Sequence, residues 1–275
     1  MSDKNQFIDV KEVIRNKNPK LLKRLPKFVI SYLQKIIHEK DVNEFLEVHK
    51  NDDPHTFCEA VMEKFNITLS HKGLENIPTK GGAVLAINHP LGGMDAMALV
   101  TLLKDKRPDI KFIVNDILLH LENLKPIFIG VNKHGQNAAE SLKKIDEAFA
   151  DDHLLCIFPA GLVSRKELGK PVTDLKWRKT FVTRSRKHNS TIIPVYLDGK
   201  LSTFFYRLYR WRKRFGVNAN VEMLYLVNEL YKQHNKHIKI CFGKPIFASE
   251  FDNSKSDQEW ADFVKNKVYT LKQEL

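Results

Sequence analysis

No apolar run in this chain of 275 residues is long enough to cross a bilayer, which takes about 20 uninterrupted apolar residues. The longest candidates are broken by Asp95, His120, Glu122 and Lys125. The amino-terminal MSDKNQFIDVKEV mixes acids and bases and has no apolar segment of the kind a secretory signal needs. Cysteine is scarce. The three present, Cys58, Cys156 and Cys241, lie far apart and make no C-x-x-C pair, so they read as small buried apolar residues in a reducing compartment. These features predict a cytosolic or peripheral protein. Nucleotide and hydrolase signatures are missing too, with no G-x-G-x-x-G, no G-x-x-x-x-G-K-[ST] and no G-x-S-x-G. No His/Cys/Glu group has zinc spacing, and His234 and His237 share at most one helix face. A serine or cysteine nucleophile therefore has no local support, and neither does a metal centre.

What is abundant is positive charge. The formal balance is +12, and the stretch from Gly161 to Phe215 accounts for all of it, with fifteen Lys and Arg against Glu167, Asp174 and Asp198. Such a patch attracts anions: nucleic acid, an anionic bilayer, a phosphate-bearing substrate or an acidic carrier protein. No recognisable nucleic-acid module accompanies it. A second basic segment covers residues 11–40. From Pro26 onward, Phe28, Val29, Tyr32, Leu33, Ile36 and Ile37 recur at helical spacing, a basic amphipathic helix that either lies in a membrane interface or packs its stripe on its own domain.

The order of elements predicts the class. Residues 41–66 read as two short polar helices broken at 51–54. The main domain is expected from Ile67, with strands at 67–71, 84–88, 110–115, 126–131, 154–159, 191–197 and 237–243. Helices are expected from Asp95, over 136–150, 175–187, 203–214 and 218–235, and from Ser256. Alternating strands and helices of this kind predict an α/β fold, a mostly parallel central sheet flanked by helices. An amino-terminal basic helical segment, residues 1–66, precedes it. The aromatic run FFYRLYRWRKR at 204–214 has three readings: Tyr206, Tyr209 and Trp211 at head-group depth, a site for an acidic acyl carrier protein, or a surface helix with its aromatics turned inward.

The centre of the chain is VLAINHPLGGMDAMALV, residues 84–100. A buried strand ends on a histidine, a turn containing Gly92 and Gly93 follows, and a helix opens at Asp95. In an open α/β sheet a strand's carboxyl end and a helix's positive amino end converge at such a junction. A carboxylate touching His89 would hold one tautomer and stabilise the imidazolium formed when the ring takes a proton. The plainer reading is that Asp95 only caps the helix. The paired glycines permit a sharp backbone path and close approach of a ligand.

Three pieces in order, NHPLGGMD at 88–95, IFPAGLVSR at 157–165 and IIPVYLDG at 192–199, resemble the glycerolipid acyltransferase superfamily typified by lysophosphatidic-acid acyltransferases. That family carries Asn-His, four intervening residues and Asp, then Phe-Pro-Glu-Gly-Thr-Arg-Ser, then a strand with a proline. Here five residues separate His89 from Asp95, and the NHPxGG form is similar to the branch labelled hemolysin-like in bacteria, which includes acyltransferases of amino-acid-headed lipids. The family's glutamate, threonine and arginine are replaced by Ala160, Leu162 and Val163.

The resemblance implies an O-acyltransferase with His89 as base and Asp95 orienting it; the turn's place at the helix start makes the amides of Gly92 and Gly93 the candidate oxyanion donors. It also implies a substrate site using Asn88, Phe158, Pro159 and Gly161. Ser164, Arg165 and Lys133, the last near the family's phosphate-binding arginine, would meet an anionic head group. The substrates implied are acyl carrier protein or coenzyme A thioesters as donors and a lysolipid as acceptor, either a lysophospholipid or a monoacylated amino-acid lipid with a free hydroxyl on its acyl chain, with no cofactor. The expected location is the inner face of the cell membrane, at an anionic surface, and no nucleic-acid partner is expected. The rivals are a non-catalytic membrane-binding relative and a nucleic-acid-binding protein.

Overall fold

The computed structural model describes residues 7–131 and 138–275. Helices α1 (Val10–Lys17), α2 (Pro19–Arg24), α3 (Lys27–Ile36), α4 (Glu39–Val48) and α5 (Pro54–Lys64) lead into strand β1 (Thr68–Lys72). Next come β2 (Ala83–Ile87), α6 (Gly93–Leu103), β3 (Lys111–Asn115), β4 (Phe128–Val131), α7 (Ala138–Ala150) and β5 (Leu154–Ile157). A two-stranded hairpin, β6 (Arg165–Lys166) and β7 (Val172–Thr173), precedes α8 (Thr180–His188) and β8 (Thr191–Leu197). The chain closes with α9 (Thr203–Arg214), α10 (Leu226–Tyr231), β9 (His237–Phe242) and α11 (Asp257–Thr270).

Two compact units result. Asp53–Leu201 with Gln233–Leu275 holds the sheet, and the described residues up to Asp52 group with Ser202–Lys232. The division differs from a single cut at 66/67: α5 belongs to the sheet unit, and residues 202–232 belong with the amino-terminal helices.

In the sheet unit seven strands run in the order β1-β9-β8-β2-β5-β3-β4. All neighbours are parallel except β8 and β9. The expected α/β class and mostly parallel sheet are therefore present. Strand β2 is central because all five of its residues, AVLAI, are apolar and buried, the continuous run demanded of a strand covered on both faces. Val84 and Ala86 join the core cluster built with Trp177, Phe181, Trp260 and Val264. Leu85 and Ile87, which alternation sends to the other face, are equally buried. At the strands' amino ends the guanidinium of Arg107 donates to Asp109, Pro78, Gly81 and Asp152. Helix α11 starts where Ser256 and Glu259 cap each other's amides.

Several boundaries fall short of expectation. Strand β5 stops at Ile157 rather than residue 159, since Phe158 and Pro159 turn out of the sheet. Helix α8 begins at Thr180, not at 175, because the preceding loop buries Trp177 and Asp174. The expected helix over 218–235 is a short turn at Val221–Tyr225 followed by α10.

The other unit is all helical and buries three acids, each partnered. Glu39 accepts from the Val10 amide at 2.9 Å, Glu222 from Arg212 at 2.8 Å, and Glu229 from the Ser202 hydroxyl at 2.7 Å. Tyr206 and Tyr209 of α9 point inward, so of the three aromatics expected at head-group depth only Trp211 faces solvent. Phe28, Tyr32, Phe204 and Phe215 in this unit are also exposed. Among the described residues no helix is long and apolar enough to cross a membrane.

Candidate active site

The site forms where β2 leaves the sheet. The chain after β2 skips past the position of β5 to reach β3, while β8 pairs on β2's other side, the kind of switch point where open α/β sheets hold their ligands. Asn88 is the last residue still tied to the sheet. Its side-chain Nδ2–H donates to the Leu197 carbonyl at 2.9 Å, and its Oδ1 accepts from the Leu197 backbone amide at 2.7 Å. The side chain thus imitates one further rung of the β2–β8 ladder. It is 2% exposed. Asn88 is therefore a splice that fixes the strand's exit, not the substrate contact expected of it.

The next residue is His89. Its Nδ1 lies 2.9 Å from Asp95 Oδ2. Pro90 follows, and then the Leu91 amide donates to both carboxylate oxygens of Asp95, at 3.2 and 3.0 Å. Gly92 sits at φ 74°, ψ −133°, a conformation open in practice only to glycine. That single residue lets a five-residue spacer bring histidine and aspartate together. Helix α6 begins at Gly93, with Gly92 in the capping position. Asp95 is therefore in the first turn rather than capping it, where its charge meets the helix's positive end.

The pair is asymmetric in solvent. The Asp95 side chain is fully buried and that of His89 is 18% exposed. Burial pushes the Asp95 carboxyl above its ordinary value, against the pull of the His89 and Leu91 hydrogen bonds. With Nδ1–H donating to the carboxylate, Nε2 is left as the basic nitrogen. The Phe158 ring stacks on the imidazole, centroids 4.1 Å apart at 26°. Phe158 to Gly161 form a tight turn closed by the Gly161 amide on the Phe158 carbonyl at 2.8 Å, with Gly161 at φ 64°. The Pro159 carbonyl accepts from the Arg178 amide. Gly93 is exposed, and a side chain there would meet open space, whereas Met94 and Asp95 after it are fully buried.

Ser164 and Arg165 depart from expectation. Ser164 is buried, its amide on the His89 carbonyl at 2.7 Å and its hydroxyl on Asp174 at 2.5 Å. Arg165 is 2% exposed, with Nη1 on the Val163 carbonyl at 2.5 Å. Both side chains are buried within the protein. Lys133 lies outside the described residues. Ala160 packs in the apolar core cluster. Asp174 also stands beside the histidine, and in the sequence it is only one of three acids in the basic stretch. Its isolation among fifteen cations was the signal.

A family model described as Acyltransferase matches residues 12–275. Two lyso-glycine lipid O-acyltransferases, from Bacteroides thetaiotaomicron and Phocaeicola vulgatus, are each 40% identical over 273 residues. Each alignment covers 98% of this chain, with 100% of the first relative and 98% of the second. Among solved structures, the 1-acyl-sn-glycerophosphate acyltransferase PlsC from Thermotoga maritima superposes with a TM-score of 0.52 at 14% identity. That match covers 96% of this chain and 93% of PlsC, and it shows a shared fold.

Proposed function

The chain belongs to the acyltransferase family of the glycerolipid type, and on that premise we propose that it moves a fatty acyl group from a thioester to the hydroxyl of a lysolipid. His89 is the base and Asp95 its orienting partner. One observation carries the reading: Nδ1 of a partly exposed histidine sits 2.9 Å from a fully buried carboxylate at the carboxyl end of the central strand. In the step, Nε2 takes the acceptor's hydroxyl proton as that oxygen attacks the thioester carbonyl. The carbon–sulfur bond breaks, and the departing thiolate regains the proton from the imidazolium. A thioester is already activated, so no covalent enzyme intermediate is needed. Positioning plus a general base carries the reaction, the base contributing about 10²–10⁴-fold. Amides of the Gly92-Gly93 turn serve as donors to the developing oxyanion.

For the acceptor we favour a monoacylated amino-acid lipid bearing a free hydroxyl on its acyl chain. Full-length likeness to two lyso-glycine lipid O-acyltransferases supports this choice, as does Ala160 where lysophosphatidic-acid acyltransferases carry glutamate. The donor is an acyl carrier protein or coenzyme A thioester, and the exposed cations Lys176, Arg178 and Lys179 favour the acidic carrier. The helical unit supplies the membrane contact. Its exposed Phe28, Trp211 and Phe215 among Lys and Arg suit an anionic interface on the cytoplasmic side.

The test is expression in a host lacking its own lysolipid O-acyltransferase, followed by lipid analysis. Wild type creates a diacylated lipid from the lyso form, whereas His89→Ala and Asp95→Ala do not. Alanine variants as active as wild type would refute the mechanism.

A further inference from the structure

We propose that Asp174 is a positioning residue, one that fixes the backbone of His89 and seals the β6–β7 hairpin onto it. The proposal rests on the reading of His89 as the base. Asp174 is 4% exposed. Its Oδ1 accepts from the Ser164 hydroxyl at 2.5 Å and from the His89 amide at 3.2 Å, and its Oδ2 accepts from the indole N–H of Trp177 at 2.8 Å. Its own main chain is held as firmly: the amide donates to the Tyr269 hydroxyl at 2.6 Å, and the carbonyl accepts from Lys265 Nζ at 2.8 Å. The carboxylate is thus aimed from a rigid base on α11.

The consequence lies in what it aims at. The amide of His89 is bound by Asp174, and the carbonyl of His89 is bound by the Ser164 amide at 2.7 Å. Residues 164 and 174 are the two feet of the hairpin whose strands pair Arg165 with Thr173 and Lys166 with Val172. Both feet therefore stand on one residue, and the carboxylate joins them to each other. Asp95 and Phe158 hold the ring, whereas Asp174 and Ser164 hold the backbone that carries it. Removing the carboxylate releases the His89 amide and the Ser164 hydroxyl, loosening the backbone at His89 while leaving the ring's partners in place. A shift of about 1 Å in a reacting group costs on the order of 10²-fold in rate.

A merely structural acid would lower stability and leave turnover per folded molecule alone, so the two roles separate by experiment. Acyl transfer is measured with a long-chain acyl-coenzyme A and a monoacylated amino-acid lipid in mixed vesicles. The full chain is compared as wild type, Asp174→Ala, Asp174→Asn, His89→Ala and, as a destabilised control away from the site, Asp146→Asn. For Asp174→Ala we expect kcat to fall about 10- to 100-fold with KM within about threefold. Asp174→Asn, which retains one acceptor oxygen, should recover part of that loss, and Asp146→Asn should keep wild-type kcat. The ¹⁵N resonance of the His89 backbone amide, whose acceptor is altered, should shift in both Asp174 variants, while the ring nitrogens keep the tautomer that Asp95 imposes. If the alanine variant does not fold, the asparagine variant supplies both readouts. Asp174 variants with wild-type kcat and an unchanged His89 spectrum, beside an inactive His89→Ala, would overturn the proposal and leave the base intact. An active His89→Ala would remove the base and the proposal together.

Discussion

Replacing Asp95 by asparagine separates catalysis from stability more cleanly than any other change at the site. The substitution is nearly isosteric, and the Leu91 amide keeps an oxygen to donate to. What changes is the face toward His89. An amide N–H now points at Nδ1, so the ring must offer Nδ1 as acceptor and carry its proton on Nε2, the atom the mechanism needs unprotonated. The expected loss is the whole general-base contribution, about 10²–10⁴-fold in kcat, or about 2.7–5.4 kcal/mol of barrier. Stability should move the other way. Burial raises the Asp95 carboxyl above its usual 3.8, so ionising it costs more in the folded chain than in the unfolded one. Wild type therefore loses stability as pH rises from 3.8 through the raised folded value, and the cost is fully present above it. Asparagine lacks that dependence. At neutral pH the variant should be as stable as wild type or more so while turning over at least about a hundred times more slowly. Urea denaturation at two pH values and single-turnover acyl transfer measure the two quantities. Turnover within threefold of wild type, or a stability loss that parallels the activity loss, would refute the reasoning.

Asn88→Ala strands two backbone groups of Leu197 that its side chain now satisfies; at about 1–3 kcal/mol for each buried orphan, a lowered urea midpoint worth about 2–6 kcal/mol is expected. Gly199→Ala places a Cβ 2.6 Å from Cγ of buried Leu91, an overpacking cost of about 1–3 kcal/mol that shrinks in the Gly199→Ala/Leu91→Ala double variant. Hydrogen bonds from His188 and Lys187 hold the Asp146 carboxyl well below its ordinary value, with Arg184 adding to the effect. Its contribution is therefore complete above the usual 3.8 and lost as pH falls through the lowered folded value, so Asp146→Asn should flatten the acid limb of a stability–pH curve. Trp211→Ala and Phe215→Ala should each weaken binding to anionic vesicles about tenfold and leave neutral-pH folding unchanged, as sedimentation with vesicles would measure.

Much of the architecture was legible because the inner strands of the large sheet are short apolar runs between turn residues, whereas the edge strand β1, TLSHK, is not. Thr191–Leu197 was read to the residue, and Ala83–Ile87 within one. The errors fall where side chains, not periodicity, decide. Leu175 to Lys179 has the basic, amphipathic look of a helix start, yet burial of Trp177 with its N–H on Asp174 keeps that segment out of the helix until Thr180. Tyr206 and Tyr209 sit in a run rich in arginine, and nothing local reveals which way they turn.

The histidine and aspartate were legible by their spacing and by the glycines between them, since only a residue free to adopt positive φ could close a five-residue loop. The sequence alone thus determined the sheet class, the central strand and the pair of residues at its mouth, all of them products of local pattern along the chain. Asn88, Ser164 and Asp174 acquired their roles only in three dimensions. The partners of Asn88 and Asp174 lie 109 and 85 residues away, in Leu197 and His89. Ser164 in turn meets the His89 carbonyl across the hairpin's foot. Hydrogen bonds between such distant groups are set by how strands and hairpin stack, a geometry that no window of sequence contains.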